Sequence, residues 1–310
     1  MCTECGCGLP LPTKINGKVQ QNKGLTHSHE HSHGEHVHSH EHEHVHSHEH
    51  EHNHDHAHEH DHGHSHDHGH GHDHDHDHRH DHGHDHGHDL VAVHKSILGA
   101  NNLQAERNRG FFRGIALLAL NLLSSPGAGK TALLKKTIQV LGARCKCGVI
   151  VGDLETENDA LRLRETGAPV VQISTGTLCH LDAGMVAAAL QELDARSLDV
   201  LFIENVGNLV CPATFDLGED LRVAMLSVTE GEDKPLKYPP MFRFADAIVL
   251  SKVDLAEACE FNRELALDNL RAINPGASIF EVSSKTGLGV EAWCDFLLSK
   301  RAESRQLGPV

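Results

Sequence analysis

From Leu90 onward, short apolar runs alternate with amphipathic stretches, and this rhythm predicts repeated strand–helix units. Candidate strands are Ile115–Leu123, Gly148–Gly152, Val170–Ser174, Val200–Glu204, Val223–Val228, Ala247–Ser251 and Ser278–Val282. Runs such as Val-Leu-Phe-Ile and Ala-Ile-Val-Leu are continuous rather than alternating, as in strands covered on both faces. Helices are expected over about 130–142, 157–166, 180–194, 257–272 and 290–300. A further helix carrying Leu90, Val93, Ile97 and Leu98 is expected to be N-capped by Asp89 and to end before Gly110. The order implies an α/β fold with a doubly wound, mainly parallel sheet, which binds ligands at the carboxyl ends of its strands.

Upstream of Leu90 the rhythm vanishes. Residues 27–88 hold 31 of the chain's 33 histidines, at nearly every second position. The intervening residues are almost all Asp, Glu, Gly, Ser or Asn, so residues 27–89 have little to bury and are expected to be disordered without metal. Imidazole binds nickel, zinc and copper near neutral pH, which makes this a metal-binding tract. Residues 1–8 are a compact cysteine motif and residues 9–26 a polar linker, leaving residues 90–310 as the globular domain.

Charge supports that division. The net charge is −17, and residues 27–89 alone hold 16 acids against Arg79. The globular part is nearly balanced, which argues against a nucleic-acid partner. No apolar run approaches the length that spans a bilayer, so no membrane partner is expected. Nine cysteines at irregular spacing do not form a disulfide framework, and no secretory h-region opens the chain. A cytoplasmic location follows as the expectation.

The strand ending at Leu123 runs into Ser124-Ser125-Pro126-Gly127-Ala128-Gly129-Lys130-Thr131 and then a helix. This is a P-loop, Gly-x4-Gly-Lys-Ser/Thr, with Ser124 where the first glycine belongs. Ser125, Gly127, Ala128 and Gly129 would cradle phosphates with backbone N–H groups; Lys130 would reach the β/γ-phosphates and Thr131 would ligate Mg²⁺. Asp153 and Glu204 close two other predicted strands, where they either hold Mg²⁺ and orient water or serve as caps and loop acids. With Lys130 they are the candidate catalytic residues. Ser251-Lys252-Val253-Asp254 matches the guanine-specificity pattern Asn/Thr/Ser-Lys-x-Asp. The Asp254 carboxylate can accept from guanine N1–H and the 2-amino group, and adenine offers no such pair. Lys252 would cover the base, and Ser284 and Lys285 resemble the loop that completes the pocket. Ser251 in place of Asn removes an amide that props this loop. GTP and GDP are therefore the expected nucleotides.

Cys2, Cys5 and Cys7 place three thiols within six residues, enough to wrap one soft or borderline ion. Cys179-His180 begins a predicted helix and Cys211 lies just past a strand end; they form either a second metal site or ordinary packing and capping. Cys145 and Cys147 read as structural or incidental, Cys259 and Cys294 as core.

These pieces together resemble the HypB family of hydrogenase nickel-incorporation GTPases, of the SIMIBI class of P-loop GTPases. The resemblance covers residues 1–8 and about 90–300. It rests on Cys2-Thr3-Glu4-Cys5-Gly6-Cys7, Asn121 through Thr131, Gly152-Asp153, Cys179-His180-Leu181-Asp182, Glu204 through Pro212, Thr229-Glu230-Gly231 with Asp233-Lys234-Pro235, and Lys252-Val253-Asp254. It implies a tight nickel site at Cys2, Cys5 and Cys7. It also implies a nickel or zinc site at Cys179, His180 and Cys211 in a GTP-dependent homodimer interface, and Asp153 as a magnesium-linked switch acid. Implied partners are a small metallochaperone of the HypA type and a hydrogenase large-subunit precursor, and the implied activity is GTP hydrolysis to GDP and phosphate coupled to Ni²⁺ delivery. Gly184 departs from relatives that carry a further ligand there. The histidine tract looks like nickel storage. A urease-type nickel GTPase is disfavoured because its Cys-Pro-His signature is absent; a nickel or zinc store with a regulatory G domain, and a zinc-handling GTPase, remain alternatives.

Overall fold

The computed structural model describes residues 13–19, 26–33, 36–43, 86–154 and 158–306. In chain order the elements are β1 (Lys14–Ile15), β2 (Lys18–Val19), β3 (Thr26–His33), β4 (His36–Glu43), α1 (His86–Gly114), β5 (Leu118–Leu123), α2 (Lys130–Leu141), β6 (Cys147–Asp153), α3 (Asn158–Arg164), β7 (Val170–Ser174), α4 (Ala183–Leu190), β8 (Val200–Glu204), β9 (Leu221–Ser227), α5 (Lys234–Lys237), α6 (Pro239–Arg243), β10 (Ala247–Ser251), α7 (Arg263–Ile273), β11 (Ser278–Val282) and α8 (Val290–Gln306). Two units divide the chain, one of residues 22–93 and one of residues 1–21 with 94–310.

The larger unit is built on one sheet in the order β11-β10-β9-β5-β8-β6-β7-β1-β2. From β11 to β7 every pairing is parallel. The seven predicted strands are all present, four with the predicted ends and three with ends shifted by one to three residues. Successive β5 residues serve opposite faces, as the pleat requires. Leu118, Leu120 and Leu122 pack with Leu133, Leu134 and Ile138 of α2 and Trp293 and Leu297 of α8. Ala119 packs on the other face with Phe112 of α1 and Val186 and Ala189 of α4. A third cluster covers β9 and β10 with Met241, Phe242 and Leu270. Trp293, fully buried, donates its indole N–H to Thr137 Oγ1 at 3.1 Å.

Three expectations change. The first helix starts at His86 and runs to Gly114, so Asp89 lies inside its first turn rather than at its cap. It passes Gly110 because tertiary contacts outweigh the weak local propensity of glycine. Asn101 Nδ2 donates to Asp216 O, Asn108 Nδ2 to Ala183 O and Leu217 O, and Phe112 is fully buried. The helix expected over 257–272 begins only at Arg263, where Asn262 accepts from Leu265 N. Cys259 therefore sits in an exposed turn, not the core.

The third change concerns the linker of residues 9–26. Part of it is a hairpin turning at Asn16-Gly17, both with positive φ, the pairing favoured for two-residue turns. Its first strand joins the sheet edge antiparallel to β7, with Lys14 opposite Ser174 and Ile15 opposite Ile173. In the smaller unit, β3 and β4 pair antiparallel from Thr26↔Glu43 to His33↔His36, where composition predicts no regular structure. The rest of the tract up to His86 lies outside the described residues.

Phe112→Ala is expected to lower stability by about 3–5 kcal/mol, read by denaturant unfolding through the single tryptophan. A loss below about 1 kcal/mol would show that α1 is not integral to the fold.

Candidate functional site

At the end of β5 the chain turns through Ser124–Gly129 straight into α2. Gly127 (φ 74°) and Gly129 (φ 100°) adopt left-handed backbone that side chains resist. The first N–H groups of α2 have no partner within the helix and carry its partial positive charge, so they suit an anion. Lys130 is buried, and its Nζ donates to Ser124 Oγ at 2.8 Å. The residue that departs from the glycine pattern thus seats the lysine. Burial lowers the Lys130 pKa, against the opposing pull of Glu204 and nearby acids. The Ser125 hydroxyl donates to the Glu230 carboxylate, which also accepts from Ser227 N at 3.3 Å in a capping box.

Thr131 Oγ1 donates to Glu204 Oε1 at 2.8 Å. Glu204 is 3% exposed, and burial pushes its carboxyl up to about 7. Its Oε2 is buried without a hydrogen-bond partner. An oxygen left bare beside a threonine hydroxyl at the P-loop suits a divalent cation. Asp153 ends β6, where its Oδ1 accepts from Leu154 N at 2.8 Å.

On the base side, Ser251 Oγ donates to Ala128 O at 2.7 Å. The expected loss of a loop prop is therefore corrected: the hydroxyl ties this strand end to the P-loop. Lys252, with φ 59°, donates from Nζ to Gly127 O at 2.7 Å. Asp254 Oδ1 accepts from Ser283 Oγ at 2.6 Å, which brings it to the loop of Ser284 and Lys285.

The structure brings Cys179, His180 and Cys211 together, with one donor atom from each within 4.8 Å of the others. Cys179 and His180 precede α4, whose N-cap is Asp182. His180 stacks on Phe215 at 3.9 Å and its Nδ1 is buried without a hydrogen-bond partner. Burial lowers the His180 pKa, which keeps the imidazole neutral, the ligating form. Cys2, Cys5 and Cys7 lie outside the described residues.

No motif pointed to the buried polar chain behind these groups. Leu181 N, next to His180, donates to Asn205 Oδ1 at 3.1 Å. Asn205 Nδ2 donates to Asn121 Oδ1 at 3.2 Å, and Asn121 Nδ2 to Glu219 Oε1 at 3.1 Å. Glu219 holds Arg222 at 2.9 Å, and Arg222 Nη1 donates to Ala213 O at 3.2 Å, two residues past Cys211. Asn205 follows Glu204, and Asn121 lies three residues before Ser124. Both halves of the thiol–imidazole set therefore hang from the strands that carry the phosphate side. The sequence signal was a lone asparagine inside the apolar run of β5.

A parallel sheet with this loop, a buried lysine and a guanine element defines a P-loop GTPase. Residues 118–281 match the CobW/HypB/UreG nucleotide-binding domain. The chain belongs to that family, and within it to the HypB hydrogenase maturation factors. It is 50% identical over 212 residues to the hydrogenase maturation factor HypB of Azotobacter vinelandii, covering 68% of this chain and 70% of the relative. The crystal structure of HypB from Archaeoglobus fulgidus superposes with TM-score 0.62 at 45% identity, over 66% of this chain and 100% of that one. That of HypB from Helicobacter pylori in complex with nickel gives 0.64 at 40%, over 66% and 96%.

Glu204 carries a pH signature. Its folded pKa of about 7 lies above the ordinary 4.5, so the unfolded chain releases this proton first as pH rises. The stability it contributes is complete below about 4.5 and is lost up to about 7, a loss of about 3 kcal/mol. Glu204→Gln is expected to stabilise the nucleotide-free protein by up to that amount at pH 8 and hardly at all at pH 4, measured by urea unfolding. A gain independent of pH would contradict the assignment.

Proposed function

We propose that this chain is a GTP-hydrolysing nickel metallochaperone that delivers Ni²⁺ during maturation of nickel–iron hydrogenase. The observation that carries this reading is the attachment of Cys179, His180 and Cys211, through Asn205, Asn121, Glu219 and Arg222, to strands bearing Glu204 and the P-loop. Chemistry at the phosphates then moves backbone that positions the metal donors. The nickel complex of the Helicobacter pylori relative supports the choice of ion. Zn²⁺ suits the same donors and is the expected competitor.

In this reading Gly127, Ala128, Gly129 and Ser125 cradle the phosphates and Lys130 neutralises charge at the γ-phosphoryl group. Thr131 and Asp153 would hold Mg²⁺, which supplies charge stabilisation when bound. Glu204, whose Oε1 accepts from Thr131 Oγ1, would orient water beside them. Lys252, Asp254, Ser284 and Lys285 take guanine. Cys2, Cys5 and Cys7 form the N-terminal nickel site, and the histidine tract stores the ion.

Leu178 and Val210, the residues just before Cys179 and Cys211, expose apolar surface, as does Leu154 after Asp153. Apolar groups around an incomplete donor set suit a second copy of the chain docking when GTP is bound. A HypA-type metallochaperone and the hydrogenase large-subunit precursor are the proposed receivers. Among the described residues no helix is long and apolar enough to cross a membrane, and the reading places the protein in the cytoplasm, without nucleic-acid partners.

Lys130→Ala is expected to abolish GTP turnover while the histidine tract still binds nickel; an unchanged hydrolysis rate would sink the reading. Arg222→Ala leaves the nucleotide residues intact but frees the turn behind Cys211. It is expected to weaken nickel binding at the internal site by about 10–100-fold with basal turnover retained, measured by competition titration. Unaltered affinity would remove the polar chain from the account.

A further inference from the structure

Gly152 stands one residue before Asp153 in β6, opposite Ile173 of β7. A Cβ at Gly152 would lie 2.7 Å from Leu181 Cγ and 2.8 Å from each of its methyl carbons, whereas packed carbons keep about 3.5–4.0 Å apart. The missing side chain is therefore a notch in the strand, and the side chain of Leu181 fills it. Leu181 is fully buried, in one apolar cluster with Ile150, Ile173 and Val186. The turn leading to Cys179 is built on the same strand end. Thr175 N donates to Asp153 O at 2.9 Å and Gly176 N to Leu154 O at 3.1 Å. Thr175 Oγ1 in turn donates to Leu178 O at 2.6 Å. Cys179 and His180 are thus bracketed by Leu178 and Leu181, and both brackets rest on Gly152-Asp153-Leu154. The His180 ring stacks on Phe215 and no hydrogen bond holds its Nδ1, so packing places the imidazole.

We propose that Leu181 is a positioning residue for the cation: its side chain, keyed into the notch at Gly152, holds His180 where its ring can share one ion with Cys179 and Cys211. This rests on the proposed metal role of those three residues, which bring one donor atom each within 4.8 Å of the others. The key is separate from the buried amide chain. That chain takes the backbone N–H of Leu181, whereas the notch takes its side chain, so a change of side chain alters one and spares the other. Outer contacts that orient a metal donor are worth about 10–100-fold in affinity. In the proposed function Asp153 serves the phosphate side, and Gly152 is its neighbour in the same backbone. The notch is then the shortest path from the nucleotide to His180, one residue from each. It also explains why this strand position is a glycine although its φ is negative and any residue could adopt the backbone.

The test uses the full-length chain with Cys2, Cys5 and Cys7 replaced by Ala, titrated in a nickel buffer that fixes the free ion. Nickel–thiolate absorption then reads the internal site, and the histidine tract adds nothing to it. Leu181→Ala is expected to weaken nickel about 10–100-fold at this site, with basal GTP turnover retained. Leu181→Met, which conserves volume, is expected to bind as the parent does. Gly152→Ala puts a carbon where Leu181 sits and is expected to weaken nickel too. In the Leu181→Ala background the added carbon has room, so the same substitution is expected to cost little more, and this non-additivity marks the contact. Leu181→Val replaces the alanine variant should the latter fail to fold by tryptophan fluorescence. A folded Leu181→Ala or Leu181→Val chain that binds nickel as tightly as the parent, or costs that simply add in the double variant, would overturn the key. A parent chain without nickel–thiolate absorption would instead sink the metal reading of Cys179 and Cys211.

Discussion

The arrangement depends on three buried polar residues, Asn121, Asn205 and Glu219, and on the partly buried Arg222. Asn205 and Asn121 are fully buried, Glu219 is nearly so, and Arg222 closes the chain onto Ala213. Each group lies where an unmet hydrogen bond would cost about 1–3 kcal/mol, so they form one connected set or none. Asn121 lies in β5, Asn205 directly follows β8, and Glu219 and Arg222 lie just before and within the start of β9; β5 is paired with both β8 and β9, and β5 and β8 end at the P-loop and at Glu204. In the proposed function, a shift of either strand end moves Leu181 and the turn after Cys211 through these hydrogen bonds. Packed interiors respond to such shifts as discrete rearrangements rather than graded ones.

The phosphate side shows the same economy of contacts. Lys130 and Glu204 are both taken out of water, and burial pushes each toward its neutral form. Each also lowers the other's cost by Coulomb attraction. The Glu204 oxygen without a partner marks where further positive charge belongs. Two serines replace the expected residues, and both keep a bond to the P-loop: Ser124 to Lys130 and Ser251 to Ala128. These hydroxyls bring the substituted loops into contact without altering the backbone course set by Gly127 and Gly129.

Much of this was legible in the chain itself. Continuous apolar runs located all seven parallel strands, because both faces of this sheet are covered, and the P-loop and guanine element sit at strand ends as their motifs require. Boundaries governed by tertiary contact were not legible. Helix α1 passes Gly110 because Asn108 and Phe112 dock on the core, which no local signal announces. The Asn16-Gly17 turn was a hairpin signal, but its two-residue strands are too short to show periodicity. The internal thiol–imidazole set stayed ambiguous in sequence, since Cys179-His180 and Cys211 are separated by two elements and meet only through the β7–α4 and β8–β9 loops. The amide chain was hidden for the same reason: an asparagine in an apolar strand reveals a need for partners, not their identity.

In the proposed function nucleotide and nickel are linked through the protein, and linkage is reciprocal. The most direct measurement compares Ni²⁺ affinity of the Cys179–His180–Cys211 site with GDP and with a non-hydrolysable GTP analogue bound, in a chain with Cys2, Cys5 and Cys7 replaced by Ala. The affinities are expected to differ by about 5–150-fold, with the same factor appearing in nucleotide affinity when nickel is added. Identical nickel affinity in the two nucleotide states would contradict it.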